Sequence, residues 1–241
     1  MPLFRLSREP IFPPPELATK SGLLALGGDL SSERLLLAYR TGIFPWYAEG
    51  EPILWWSPDP RFVLFPEHLK VSKTMKPLLR RNDFTVTYDR SFREVVEACR
   101  EPRRHQGGTW ITDEMARAYC RLHEQGFAHS VEAWRDGELA GGLYGVSLGG
   151  CFFGESMFTR VSNASKAAFI TQTTKLAQLG FVLVDCQVFT PHLRSLGAEM
   201  IPRSHFLSLL RSALEKPTLQ GNWGEMEAFR DPAGAGSKPR A

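Results

Sequence analysis

The sequence predicts an α+β protein with a mixed, largely antiparallel central sheet. Asp136-Gly137 stands between two alternating strand patterns, which is a strong signal for an antiparallel hairpin. Helical patterns come before and after this strand-rich region, and a further apolar strand pattern begins at Phe181. Strands and helices are therefore expected to share one domain around a central sheet.

Residues 1–60 are predicted to form a small N-terminal α/β domain rich in proline, glycine and tryptophan. It contains one clear helix, which Ser31 caps at its start and which ends at Gly42. The following segment, PILWWSPDPR, holds three prolines, and these argue against a central strand there. We place the domain boundary near Arg61.

Residues 61–220 are predicted to form the larger domain. Its elements, in order, are strands at RFVLF and FTVTY, helices from Ser91 to Arg100 and from Thr112 to Gly126, the hairpin with a second turn at Gly149-Gly150, a helix from Asn163 to Leu179, a strand at FVLV, and a helix from Ser204 to Glu215. Capping residues and glycine stops set the helix ends. Residues 221–241 lack periodicity and are expected to be a mobile tail.

The composition is that of an ordinary globular protein, with 43% hydrophobic and 23% charged residues in a chain of 241. A net charge of +3 permits a nucleic-acid partner without requiring one. The N-terminus has no continuous apolar run, and no stretch reaches about 18 apolar residues. We therefore expect neither a signal peptide nor a membrane span, and a cytoplasmic location. The four cysteines are far apart and are expected to be free buried thiols.

An acid and an amide interrupt the apolar strand that begins at Phe181. Alternation along a strand places Asp185 and Gln187 on the same face, with their Cα atoms about 7 Å apart, close to the strand's end. Because ligands reach open sheets at strand ends, the pair is a candidate catalytic site. Structural roles stay open as well: Asp185 could pair with an arginine or a helix terminus, and Gln187 could bond to backbone at a sheet edge.

Glu155 is a second candidate because it interrupts the aromatic strand CFFGESMF, although an ordinary edge glutamate would look the same. Lys166 lies in the first turn of the next helix, where a positive charge opposes the helix dipole, and this hints at an anionic partner. The sequence contains no phosphate-binding loop, dinucleotide fingerprint, nucleophile elbow or zinc-binding histidine pair. We therefore predict no metal and no cofactor.

A basic stretch follows the predicted domain boundary, in the segment HLKVSKTMKPLLRR. It fits either a solvated surface or contacts with a phosphate backbone. Pro77 argues against a straight helix through it. Its basic residues are Lys70, Lys73, Lys76, Arg80 and Arg81.

Several longer motifs resemble the leucyl/phenylalanyl-tRNA–protein transferase family. They are GLLALGGDLSSERLLLAYRTGIFPWY, PILWWSPDPR, TWITDEMARAYCRLHEQGFAHSVEAW, GGLYGV, FFGESMF, NASKAA, LVDCQV and HLRSLGAEMIPR. The resemblance covers residues 22–210 and implies a GNAT-like acyltransferase domain behind the small N-terminal domain. It also implies transfer of leucine or phenylalanine, with methionine as a further candidate, from aminoacyl-tRNA to the N-terminal Arg or Lys of acceptor proteins. The product would be marked for N-end-rule degradation, and no cofactor is implied.

The resemblance also implies roles for single residues. Asp185 and Gln187 match the pair expected in catalysis, and Glu155 matches a glutamate near the acceptor. The aromatic residues expected around the aminoacyl and adenosine pocket are Tyr39, Trp46, Trp110, Tyr119, Phe153 and Phe169. The residues expected to hold tRNA are those of the basic stretch. We expect Asp185 to orient Gln187, whose amide oxygen accepts a hydrogen bond from the attacking amine. Asp185 as the direct base is the second possibility.

Two other functions fit parts of the sequence. A coenzyme A-dependent GNAT-like N-acetyltransferase would share the fold, but the missing phosphate loop argues against it. A non-catalytic RNA-binding module would use the basic stretch, but it would give no reason for an acid and an amide on one strand face.

Overall fold

A computed structural model describes residues 3–104 and 111–230 of the chain, which form two sheets and the helices packed on them. The strands are β1 (Phe4–Leu6), β2 (Leu23–Gly27), β3 (Phe44–Pro45), β4 (Leu54–Trp56), β5 (Arg61–Leu64), β6 (Thr85–Tyr88), β7 (Ala128–Arg135), β8 (Glu138–Leu148), β9 (Cys151–Thr159), β10 (Leu183–Gln187) and β11 (Glu199–Ile201). The α-helices are α1 (Ser32–Arg40), α2 (Met75–Arg80), α3 (Phe92–Arg104), α4 (Asp113–Glu124), α5 (Ala164–Gln178), α6 (Pro191–Ser195) and α7 (Arg203–Leu214).

The larger sheet has the strand order β11-β5-β10-β9-β8-β7-β6. Only its β9–β10 pairing is parallel, and its other neighbours pair antiparallel. Helices α3 and α4 contribute to the core on one face, while α5 packs on the other. The predicted α+β fold with a mixed, largely antiparallel central sheet is confirmed.

The smaller sheet lies within the first sixty residues and has the order β1-β2-β4-β3. Strand β4 pairs with β2 on one side and with β3 on the other, so it is an inner strand. The prediction that prolines exclude such a strand is therefore wrong. Pro52 and Pro58 flank β4 without entering it, so the three residues of the strand keep the N–H groups that the sheet needs.

Local signals in the sequence set several element ends as predicted. The Ser31 hydroxyl caps α1 by accepting the Arg34 N–H at 3.3 Å, and the Thr112 hydroxyl caps α4. Asp136 and Gly137 both have positive φ, and they form the two-residue turn between β7 and β8. Each of these ends depends only on neighbouring residues, which is why the sequence reveals them.

The two sheets share one hydrophobic core. Leu24 and Trp55 of the smaller sheet belong to the same buried cluster as Leu183 of the larger sheet and Phe206 of α7. The change of sheet near residue 61 is therefore not a gap in the core. All four cysteines are buried and free, as predicted.

The segment after residue 220 is anchored to the larger sheet. The indole of Trp223 is fully buried and stacks on the imidazole of His129 with ring centroids 3.8 Å apart. The Trp223 backbone N–H donates to Asp89 at 2.7 Å, and Phe229 stacks on the other side of the indole. The prediction of a mobile tail is thus wrong for residues 221–230. Two buried aromatic side chains, Trp223 and Phe229, hold this segment to the sheet although its sequence shows no periodic pattern. Residues 231–241 lie outside the described part of the chain.

No helix of the described ranges combines the length and the apolar character that crossing a bilayer requires.

Candidate active site

A cavity of about 680 Å³ opens where two parallel strands separate. Strands β9 and β10 pair from Cys151–Leu183 to Phe153–Asp185. Beyond that point β9 continues beside β8, whereas β10 ends at Gln187. The end of a parallel strand pair is a frequent place for a ligand, because the backbone there is not covered by a neighbour.

A bulge in each of these strands directs a polar side chain. In β9, Tyr144 and Gly145 of β8 pair with Ser156 and Gly154, so Glu155 is the extra residue. Bulges reorient side chains and are frequent next to active sites. This one gives Glu155 a direction that strict alternation would not.

The second bulge lies at the end of β10. Asp185 pairs with Val63 and Gln187 with Phe62 of β5, so Cys186 is the extra residue. Gln187 also has a φ of 62°, in the left-handed region. Strict alternation, the basis for predicting one shared face for Asp185 and Gln187, therefore fails at the strand's end. Both residues still border the cavity because the bulge turns the backbone.

Glu155 lies at the centre of a buried hydrogen-bond cluster. Its Oε1 accepts from the Tyr39 hydroxyl at 2.8 Å and from the Gln187 amide Nε2 at 2.7 Å. Its Oε2 accepts from the Tyr119 hydroxyl at 2.6 Å. Burial raises the pKa of the Glu155 carboxyl to about 7, although the three hydrogen bonds act to lower it. The side chain can therefore be charged or neutral near neutral pH.

Asp185 is held in a buried ion pair with Arg61. The Arg61 guanidinium donates from Nε to Oδ1 at 2.8 Å and from Nη2 to Oδ2 at 2.7 Å. The backbone N–H of Gln187 donates to the same Oδ1 at 2.9 Å. Both Asp185 and Arg61 are almost completely inaccessible to solvent. Removing either partner of such a buried pair would leave an uncompensated charge, so Arg61 fixes the position of Asp185. Asp185 in turn holds the backbone of Gln187 in place through the hydrogen bond to its Oδ1.

Arg61 also joins the two sheets. Its Nη1 donates to the carbonyl oxygen of Gly42 at 3.2 Å. Its guanidinium lies between the rings of Phe44 and Phe206, 4.7 Å and 4.5 Å from their centroids. Arg61 was not among the site residues predicted from the sequence, although a buried Asp185 requires a cationic partner and Arg61 begins a buried strand.

One wall of the cavity is apolar. Its apolar side chains include Leu143, Phe152, Met157, Phe158, Phe169, Val184 and Leu193. Phe169 lies on this wall as predicted, but Phe153 does not line the cavity. Phe153 instead packs against the ring of Tyr39 with centroids 5.0 Å apart, and its neighbour Phe152 faces the cavity. Successive strand residues face opposite sides, so the predicted wall residue is off by one position.

The other predicted aromatic residues occupy different places. Trp46 is 42% exposed and borders the cavity beside Phe44, so it lies where a ligand could stack on it. Tyr39 and Tyr119 are fully buried behind Glu155 and do not line the cavity; they reach it only through their hydrogen bonds to that residue. Trp110 lies outside the described residues.

The rim on the α5 side of the cavity is polar. Its residues are Ser162, Asn163, Ser165, Lys166, Thr190 and His192. Lys166 was noted from its unfavourable place in the helix, whereas His192 was missed because a single histidine after a proline carries no signal of its own. Asn163 occupies the N-cap position of α5 with a φ of 71° and makes no side-chain cap.

The basic stretch is a separate, exposed surface. Lys70, Lys73, Lys76, Arg80 and Arg81 are all exposed, and none of them lines the cavity. Pro77 does not prevent α2 because it lies in the first helical turn, where backbone N–H groups need no intrahelical acceptor.

A cavity with an apolar wall, an amide and a titratable carboxyl, set between diverging strands, has the features of an enzyme active site. Comparison with known proteins gives the family. The model described as "Leucyl/phenylalanyl-tRNA protein transferase" matches residues 63–211, and the model of the N-terminal domain of the same family matches residues 28–59. The chain belongs to the leucyl/phenylalanyl-tRNA–protein transferase family, and it is an aminoacyltransferase.

Curated relatives with the same family name match this chain over most of their length. The relative from Syntrophus aciditrophicus is 60% identical over 224 residues, which cover 92% of this chain and 94% of the relative. The relative from Myxococcus xanthus is 57% identical over 228 residues, covering 93% and 97%. That from Chromobacterium violaceum is 54% identical over 220 residues, covering 90% and 94%. This membership decides against both the acetyltransferase and the non-catalytic RNA-binding module.

Proposed function

We propose that this aminoacyltransferase moves leucine or phenylalanine from aminoacyl-tRNA to the N-terminal Arg or Lys of an acceptor protein, and thereby marks that protein for N-end-rule degradation. The observation that carries the proposal is the amide of Gln187, which lines the cavity together with an apolar wall. Its nitrogen donates to Glu155, which leaves its oxygen to accept from another donor.

The donor's side chain enters the apolar part of the cavity. A pocket walled by Phe152, Met157 and Phe169 discriminates by shape, and one methylene there contributes about 1–3 kcal/mol. Leucine and phenylalanine are unbranched at Cβ and suit such a wall, and methionine is a further candidate. Isoleucine and valine, which branch at Cβ, fit less well.

The acceptor's cationic side chain pairs with Glu155. Asp185 is already neutralised by Arg61, whereas Glu155 uses three of the roughly four lone-pair sites of a carboxylate. The remaining site is on Oε2, which takes only the hydrogen bond from Tyr119. A carboxylate with that site free can accept from a guanidinium or an ammonium group.

The reaction exchanges an ester for an amide. The acceptor α-amine, whose usual pKa is about 8, is partly neutral near pH 7 and attacks the ester carbonyl carbon. A C–N bond forms, the C–O bond to the ribose breaks, and the proton lost by nitrogen passes to the departing ribose oxygen directly or through water. No other reactant is needed, because the ester is already activated.

Gln187 orients the amine and does not take its proton. Its amide oxygen accepts one N–H of the attacking nitrogen and stabilises the positive charge that develops there. The bond from the amide nitrogen to Glu155 polarises the amide and strengthens this oxygen as an acceptor. Asp185 is a positioning residue, because both of its oxygens are already occupied by Arg61 and by the Gln187 backbone.

The test is transfer of radiolabelled leucine from Leu-tRNA to a peptide that begins with Arg. Gln187→Ala and Asp185→Ala are each expected to lower turnover at least about tenfold. Gln178→Ala, at an exposed position of α5, is the matched control and should keep wild-type turnover. Wild-type turnover in Gln187→Ala would remove the proposed role, and equal transfer to a peptide that begins with Ala would contradict the acceptor assignment.

A further inference from the structure

Lys166 and His192 face the cavity, yet the reaction above uses neither of them. Lys166 is the third residue of α5, where the helix dipole disfavours a positive charge. It is half-buried on the cavity rim, and no acid of the described ranges lies within ion-pair distance of it. A lysine in such a place stabilises neither the helix nor a salt bridge within the described structure.

His192 brings a second donor to the same rim. It lies in the first turn of α6, and its Nε2 is shielded from solvent without a hydrogen-bond partner in the described structure. Leaving a buried polar atom unpaired costs about 1–3 kcal/mol, so an acceptor that reached this nitrogen would recover that cost. Burial, and then the positive charge of Lys166, lower the pKa of His192, so its imidazole is neutral at pH 7 and can donate one N–H.

The charged and polar groups of the lining come from different elements. Glu155 and Gln187 belong to β9 and β10, while Lys166 and His192 lie on α5 and α6. A cationic acceptor side chain is attracted to Glu155 and repelled by Lys166. An ammonium group and a neighbouring imidazole N–H suit an oxyanion, of which the phosphate group is the one that an aminoacyl-tRNA carries.

We propose that Lys166 and His192 bind the phosphodiester group on the 5′ side of the donor's terminal adenosine. The inference rests on the proposed function, since it takes aminoacyl-tRNA as the donor. In this arrangement the aminoacyl ester lies against Gln187 and the phosphate lies against Lys166 and His192. These two residues thereby orient the donor in the cavity and leave Glu155 to the acceptor.

The experiment compares two inhibitors that differ by one phosphate. They are non-hydrolysable leucyl-amide analogues of the aminoacylated adenosine, with and without a 5′-phosphate, measured as competitive inhibitors of transfer from Leu-tRNA. With the wild-type enzyme, the phosphate is expected to lower the inhibition constant roughly tenfold to a hundredfold, as for a charge-assisted hydrogen bond. With Lys166→Met, the preference for the phosphate should fall by about threefold to tenfold or more, leaving at most the part that His192 supports.

Two further variants make the result specific. Lys175→Met removes the same charge near the other end of α5, away from the cavity, and should keep the wild-type preference for the phosphate. His192→Gln should reduce the preference by about threefold to tenfold, the size of one neutral hydrogen bond, and it tests the site independently if Lys166→Met does not fold.

The outcomes separate this inference from the proposed function. A wild-type enzyme that does not distinguish the two inhibitors, or a full phosphate preference in Lys166→Met and His192→Gln, overturns the phosphate site while leaving transfer intact. Absence of transfer from Leu-tRNA by the wild-type enzyme overturns the proposed function, and this inference with it.

Discussion

Glu155 is the residue at the site whose charge changes within the neutral pH range. Burial is the main cause of its raised pKa of about 7, and hydrogen bonds from Tyr119, Tyr39 and Gln187 oppose that effect. A raised pKa means that the carboxyl is mostly protonated below about pH 7 and mostly charged above it. A cationic acceptor can therefore use its charge fully only on the alkaline side.

The affinity for an acceptor peptide that begins with Arg is expected to increase as the pH rises from 6 to 8. The matched control is the same peptide with citrulline, which has the same α-amine but a neutral side chain. The ratio of the two affinities, measured by equilibrium binding, should rise roughly fivefold to tenfold. In Glu155→Gln the ratio should not change with pH. A constant ratio in the wild-type protein, or an equal rise in the variant, would contradict the pairing with Glu155.

At this scale the sequence reveals the polar residues but not their surroundings. Asp185, Gln187 and Glu155 are conspicuous because each interrupts an apolar strand. The partner Arg61 lies 124 residues from Asp185, and only the fold brings the two together. The choice between Phe152 and Phe153 depends on which face of β9 turns toward the cavity, and a strand that is apolar on both faces does not show this.

At the scale of elements, the site depends on two bulges, one within β9 and one at the end of β10. Strand β10 carries Gln187 and is held to β5 by both the sheet and the Arg61–Asp185 ion pair. A bulge adds one residue without changing composition or period in a visible way, so the sequence does not show it. The sequence did not predict α6 or β11 for a related reason, because each has too few residues to display a period.

Arg61→Met is expected to destabilise the protein by about 3–5 kcal/mol, because it leaves the buried carboxylate of Asp185 without its cation. Chemical denaturation measures this change. The matched control is Arg81→Met, which breaks the exposed Arg81–Asp83 pair and should have little effect on stability. Adding Asp185→Asn to Arg61→Met should recover part of the loss, and a fully stable Arg61→Met single variant would show that the ion pair is not needed to hold β10 against β5.

The basic stretch around α2 belongs to the same scale. Replacing Lys73, Lys76 and Arg80 together by alanine is expected to weaken tRNA binding and to reduce the slope of log affinity against log salt concentration by about 2–3 if all three contact phosphates. Titration of tRNA at several salt concentrations measures the slope. The turnover at saturating tRNA should stay unchanged, because these side chains do not reach the cavity. An unchanged slope would leave the stretch as a solvated surface.

At the scale of the whole molecule, one continuous core and a C-terminal anchor hold the chain together. Trp223 fills a fully buried place against His129, although eight residues of loop separate it from the last α-helix of the described ranges. The Asp89 carboxylate binds the His129 imidazole, the Ser130 N–H and the Trp223 N–H, each within 2.8 Å. The segment is thus part of the folded domain.

Trp223→Ala is expected to lower the free energy of unfolding by about 3–5 kcal/mol, since it empties a large buried site. Trp46→Ala is the matched control: it removes the same side chain from a position that is 42% exposed, so it should destabilise the protein clearly less than Trp223→Ala. Thermal or chemical unfolding of both variants provides the comparison. Similar losses in the two would mean that the C-terminal anchor contributes little.

The sequence predicted the overall fold better than it predicted the places of β4 and of the segment around Trp223. Caps such as Ser31 and Thr112 and the Asp136-Gly137 turn act on their immediate neighbours, so they can be located without the fold. The central place of β4 and the anchoring of Trp223 depend on distant partners. The predictions for both segments, which used only composition and proline content, were therefore wrong.

The contact of Arg61 with the smaller sheet bears on how the enzyme could be rebuilt from parts. Arg61 meets that sheet through the backbone carbonyl of Gly42 and the ring of Phe44. Gly42 has a φ of 76°, and a Cβ there would come within 2.6 Å of Leu207, so a hybrid that takes its first sixty residues from a relative must keep this glycine as well as the aromatic ring. Exchange of the front segment between relatives should then yield working chimeras only where the glycine, the ring and the Tyr39 hydroxyl that bonds Glu155 are all retained.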